Sequence, residues 1–118
     1  MSRTARSKSQ SELLNEGLAL TRRGDFFAAH ETLEDAWRAA AQEERDFFQG
    51  LVHIAVAWYQ AGRANRPGCE RQLEKASRRL GPYAPVHRGV DVGSILQQVE
   101  TARALVQRGE LELPPPRL

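Results

Sequence analysis

His30 and Glu34 stand four residues apart in the run Ala29-His30-Glu31-Thr32-Leu33-Glu34-Asp35-Ala36-Trp37. At about 100° per residue, that spacing presents an imidazole and a carboxylate from one helix face to one ligand. A second imidazole, His53, lies in the next apolar stretch, Phe47 to Gln60. Two imidazoles and a carboxylate form a donor set for a divalent ion such as zinc. They also leave coordination positions open for water, which metal-assisted hydrolysis requires. The same residue types have a plainer use. A buried polar group left unpaired costs about 1–3 kcal/mol, so His30, Glu34, Gln49 and His53 can instead close into a structural network. In that network Glu34 accepts from Gln49 and from a histidine, and helix register is fixed without any substrate.

Placing these residues requires a helical hairpin. On a helical wheel Phe26, Phe27, His30, Leu33, Glu34, Trp37 and Ala41 fall within an arc of roughly 120°, so His30 and Glu34 share the apolar face. The second segment is apolar nearly all round, and its polar residues Gln49, His53 and Gln60 form one narrow stripe. With a turn near Gln42 to Glu44, antiparallel pairing sets Glu34 level with Gln49 and Gly50, His30 level with His53, and Trp37 level with Phe47. Gly50 then allows close helix approach and Trp37 closes one end of the cluster. Within this hairpin, His30-Glu31-x-x-Glu34 also echoes a zinc-protease helix whose last histidine is replaced by glutamate. On that reading His30, Glu34 and His53 are the candidate metal ligands and Glu31 the candidate catalytic base. The replaced histidine, and the lack of a metzincin-type downstream one, make the echo a weak signal.

The arrangement His30-x-x-x-Glu34-x-x-Trp37, followed by Phe48-Gln49-Gly50-Leu51 and an Ala-rich helix, resembles the uncharacterised bacterial and archaeal family called domain of unknown function 309. The resemblance runs over about residues 22–100, including Leu73-Glu74-Lys75-Ala76 and Gly89-Val90-Asp91-Val92. It implies a small all-helical bundle and a functional His/Glu/Trp signature, with no activity attached.

The remaining elements follow from caps and breaks. A first amphipathic helix runs from Ser11, its expected N-cap, to Arg23 before Gly24. Asp25 caps a second helix that reaches about Ala41, and a third runs from about Glu43 to Ala64. Pro67 suits the first turn of a fourth helix ending near Leu80, and Gly81-Pro82-Tyr83-Ala84-Pro85 predicts an extended crossing loop. Asp91 caps a fifth helix that Gly109 ends. Ala29-x-x-x-Leu33-Glu34-x-Ala36 recurs faintly as Cys69-x-x-x-Leu73-Glu74-x-Ala76. Nothing alternates with period two over a useful length. The expected class is all-α: a compact single-domain bundle of about five helices, residues 11–109, organised on the antiparallel hairpin. A basic, Ser-rich tail at 1–10 is expected to be disordered, and Pro114-Pro115-Pro116 makes 110–118 a tail that cannot be helical.

Composition narrows the function classes. The 118 residues, 41% hydrophobic and 27% charged, suit one soluble domain. No apolar run approaches the roughly 20 residues that cross a bilayer, so no membrane partner is expected. The net charge is +2, and Arg3, Arg6 and Lys8 of the tail carry much of the excess. Nucleic acid is therefore not an expected partner, and Arg71, Lys75, Arg78 and Arg79 read as a solvated helix face. Self-association is left open. The single cysteine, Cys69, suits a reducing cytoplasm and reads as a packing residue. His87 is expected exposed, and Trp58 and Tyr59 are read as core anchors or the edge of a partner surface. No Gly-x-Ser-x-Gly elbow or phosphate loop is present. Two functions remain: a non-enzymatic binding or scaffold protein with a polar cluster, or a metal-dependent hydrolase using His30, Glu34 and His53.

Overall fold

The computed structural model describes residues 8–118. Most of the tail expected at residues 1–10 lies outside them. The first helix, α1 (Gln10–Arg23), starts earlier than the Ser11 cap implies, because Ser9 forms a complete capping box. Its hydroxyl accepts from the Glu12 amide at 3.1 Å, and the Glu12 carboxylate accepts from the Ser9 amide at 2.7 Å. Ser11 has Leu14 three residues on, and so lacks the reciprocal partner. Gly24, with φ +85°, closes the helix in a left-handed cap.

Helix α2 (Phe26–Arg38) begins after Asp25, which makes no side-chain cap bond, and ends before the expected Ala41. One turn of 3₁₀ helix at Gln42–Glu44 leads into α3 (Arg45–Gly62). Helix α4 (Arg66–Leu80) is capped by Asn65, whose side chain accepts from the Gly68 amide at 3.0 Å, with Pro67 in the first turn. Part of the expected crossing loop is a second 3₁₀ turn, Gly81–Tyr83. A minimal antiparallel ladder follows, pairing β1 (Val86–His87) with β2 (Val90–Asp91). Asp91 caps α5 (Val92–Gln107) through the Ser94 amide at 2.9 Å. Among the described residues the fold is all-α apart from that ladder.

Helix α3 is the axis of the packing. It is buried on several sides, α2 and α4 flank it, and α1 and α5 pack on the outer helices. The recurring stripes Ala29/Leu33/Ala36 and Cys69/Leu73/Ala76 are the buried faces of the two flanking helices. Gly50 serves a different neighbour from the one expected. A Cβ there would stand 2.5 Å from Leu80 Cγ, so Gly50 brings α4, not α2, close to α3. No described helix is long and apolar enough to cross a membrane.

Two segments are more tightly held than expected. His87 is half-buried: the β1–β2 hairpin folds it over the start of α3, against the rings of Phe47 and Tyr83, with Nε2 2.9 Å from Glu44. Burial pushes the Glu44 carboxyl upward, but hydrogen bonds from His87 and Arg88 outweigh it and hold the group below the usual range. The 110–118 segment is non-helical, as its prolines require, yet lies along the domain. Trp58 Nε1 donates to Pro114 O at 3.0 Å, and Gln98 exchanges two hydrogen bonds with the Arg117 backbone.

Candidate functional site

Helix α2 presents His30, Glu34 and Trp37 along one face, and α3 answers with Gln49, Val52, His53 and Val56. Together with Gln72 of α4 they line an open cleft of about 290 Å³. Five of the six residues expected in the polar cluster therefore meet. Gly50 does not line the cleft, because it faces Leu80. Glu31, the candidate base, is exposed on α2 and is not among the lining residues.

His53 is the most buried polar residue lining the cleft, 9% exposed. Its Nδ1 lies 2.7 Å from Gln72 Oε1. With the Gln72 amide turned to present Oε1, which can only accept, Nδ1 carries the proton and Nε2 keeps a lone pair. That Nε2 is buried and has no partner among the described residues. Burial pushes the imidazole pKa down. The Gln72 bond acts upward, and the charges of Arg79, Lys75 and Arg78 add to the lowering. The net shift is downward, so the ring is neutral at pH 7. Trp37, which also lines the cleft, holds a second orphan: its indole Nε1 is buried without an acceptor among the described residues, while the Arg45 guanidinium covers the ring at 4.6 Å. Each such group forfeits about 1–3 kcal/mol unless something binds to it.

Glu34 and His30 sit nearer the mouth, with side chains 33% and 28% exposed. Glu34 accepts from Arg38 at 3.0 Å, and its other oxygen lies 3.4 Å from His30 Nε2. Among the described residues no hydrogen bond joins Glu34 to Gln49 or His53, so the closed network does not form. The reason is local. Arg38, one turn along the same helix, gives the carboxylate a charged donor, which outcompetes a neutral amide across the cleft. Nor is any group of three His, Cys, Asp or Glu side chains, among the described residues, disposed to hold a metal ion. His30, Glu34 and His53 share the cleft without converging on one point.

Gln72 is the site residue that the sequence reading missed. Its signal is faint: on an α4 surface otherwise dominated by charge, it is the one neutral amide between Cys69 and Ala76. Cys69 is fully buried, and its thiol is pushed up to about 11 by burial and by Glu70, as suits a packing residue.

A family model described as Domain of unknown function (DUF309) matches residues 14–72. The span runs from α1 into α4 and includes every residue lining the cleft. It begins before the resemblance read from the sequence and stops short of Leu73–Ala76 and Gly89–Val92. An uncharacterized protein of Aquifex aeolicus (strain VF5) is 28% identical over 92 residues, covering 77% of this chain and 28% of that protein. The uncharacterized protein YpuF of Bacillus subtilis (strain 168) is 31% identical over 90 residues, covering 68% of this chain and 52% of its own. The chain thus spans between about a quarter and a half of the length of these curated relatives. No solved structure matches.

Proposed function

We propose, for a chain that belongs to the family described as Domain of unknown function (DUF309), a non-enzymatic binding role for a small polar ligand in the α2–α3–α4 cleft. One observation carries it: His53 Nε2 is a buried lone pair, oriented by Gln72 and left without a partner. An N–H or O–H of the ligand donates to Nε2, and a ligand oxygen accepts from the Trp37 indole. Glu34 and His30 at the mouth select what enters. An open cleft lined by a few convergent polar groups is the usual form of a small-molecule site. A network that only fixed register would have satisfied its own members, and this one leaves two unsatisfied. A base at Glu31 draws no support from this geometry, because that carboxylate lies outside the cleft lining.

The test is an NMR titration with acetamide, the smallest probe that offers both a donor and an acceptor. Expected are saturable shifts of the Trp37 indole N–H and the His53 imidazole, with the Trp37 shift lost in His53→Phe. Indifference of both resonances to acetamide overturns the proposal. Thermal melts with chelator and with zinc complete it. Because no three donors converge, neither is expected to move the midpoint. A rise on adding zinc that is lost in His53→Phe would replace this reading with metal-dependent hydrolysis through His30, Glu34 and His53.

A further inference from the structure

The cleft does not end at His30. A second hollow of about 150 Å³ adjoins it, lined by Phe26, Phe27, His30, Val56, Tyr59 and Gln60. His30 and Val56 line both, so the two are compartments of one groove between α2 and α3. The character changes along it. One end is lined by His53 and Trp37, whose Nε2 and indole Nε1 are buried without a partner among the described residues, and the other is walled mainly by aromatic rings. Phe27 is 56% exposed, one of two large apolar side chains left in water among the described residues. Its ring centroid stands 5.9 Å from that of Tyr59 and 6.1 Å from that of His30, both half-buried, so the three rings form a continuous wall beside the polar compartment. Exposed aromatic surface is informative when it gathers at a concave site.

Resting on the binding role above, we propose that the ligand is amphipathic. A polar head of the carboxamide type occupies the His53 compartment, and a short alkyl chain or single aryl ring lies between Phe27 and Tyr59. The head supplies the donor that Nε2 lacks. The apolar part covers the Phe27 face and leaves water with it. Purely polar ligands fill half the groove, and purely apolar ones leave His53 and Trp37 unpaired.

The experiment extends the acetamide titration to butanamide and hexanamide, read at the Trp37 indole N–H and the Tyr59 ring protons. Expected is a gain in affinity of about fourfold per buried methylene until the hollow is full, with Tyr59 responding only to the longer amides. In Phe27→Ser, a change at an exposed side chain, the dependence on chain length flattens while acetamide affinity holds. Equal affinity of the wild-type protein for acetamide and hexanamide overturns the amphipathic ligand and leaves the polar site standing. Failure of every amide to bind removes both.

Discussion

His53 holds its proton on Nδ1 because Gln72 presents only a lone pair there, and burial with the neighbouring Arg79, Lys75 and Arg78 keeps the ring neutral. That neutrality has a measurable consequence. An unfolded histidine takes up a proton near pH 6.5, whereas folded His53 does so only at lower pH. Between the two values the unfolded chain binds more protons, so stability falls as pH drops below about 6.5. The loss stops once the folded ring also protonates. Thermal melts of wild type and His53→Phe between pH 8 and 5 check this: the variant is expected to lose that part of the slope, and parallel curves would count against it. Glu44 acts in a separate window. Its depressed carboxyl contributes stability above the unfolded carboxylate range, and that stability is lost as pH falls through the folded value. At this scale the sequence was readable for residues whose neighbours lie on the same helix or its hairpin partner. It was opaque for Gln72 and His87, whose partners come from distant segments.

Gly50 determines how deeply α4 settles on α3, and α4 carries Gln72. A Cβ at Gly50 would meet Leu80 at 2.5 and 2.7 Å, and Leu80 is fully buried. Gly50→Ala is therefore expected to cost about 1–2 kcal/mol: the overpacking penalty, partly offset by the better helix propensity of alanine. Urea unfolding measures it, and an unchanged or raised midpoint would show that α4 is free to shift. The same displacement is expected to loosen the His53–Gln72 hydrogen bond, which ties element packing to the site. The hairpin of α2 and α3 could be read in advance because a short turn and two apolar stripes leave one way to pair them. The register of α4 could not, since Gly50 fits a close approach on either side of α3 and periodicity does not choose between them. The Ser9 box shows the same limit at a helix end: four serines precede the first apolar run, and Ser9 alone has a glutamate three residues on.

Across the whole molecule, α3 is the element on which the others depend, and the 110–118 segment lies over it and α5. Trp58, 6% exposed, donates to Pro114, Gln98 clasps Arg117, and Arg22 donates to Leu118 O at 3.0 Å. Deleting 110–118 is expected to lower stability by about 2–4 kcal/mol, from lost hydrogen bonds and newly exposed apolar surface, and to shift Trp58 emission to the red. Unchanged emission and unchanged stability would mean that the segment does not pack there. The all-helical class and helix number were legible because caps, prolines and apolar stripes act locally. The path of 110–118 was not, because a proline run carries no periodicity, and the side chains that hold it, Trp58 on α3 and Gln98 on α5, stand 56 and 19 residues from their partners.

The cleft's binding role depends on a lone pair at His53 Nε2. A long-range nitrogen–proton NMR spectrum of the imidazole side chains near neutral pH reads it directly. Expected is a neutral His53 ring protonated on Nδ1, with an Nε2 resonance that moves when acetamide is added. A ring protonated on Nε2, or on both nitrogens, at that pH would contradict it.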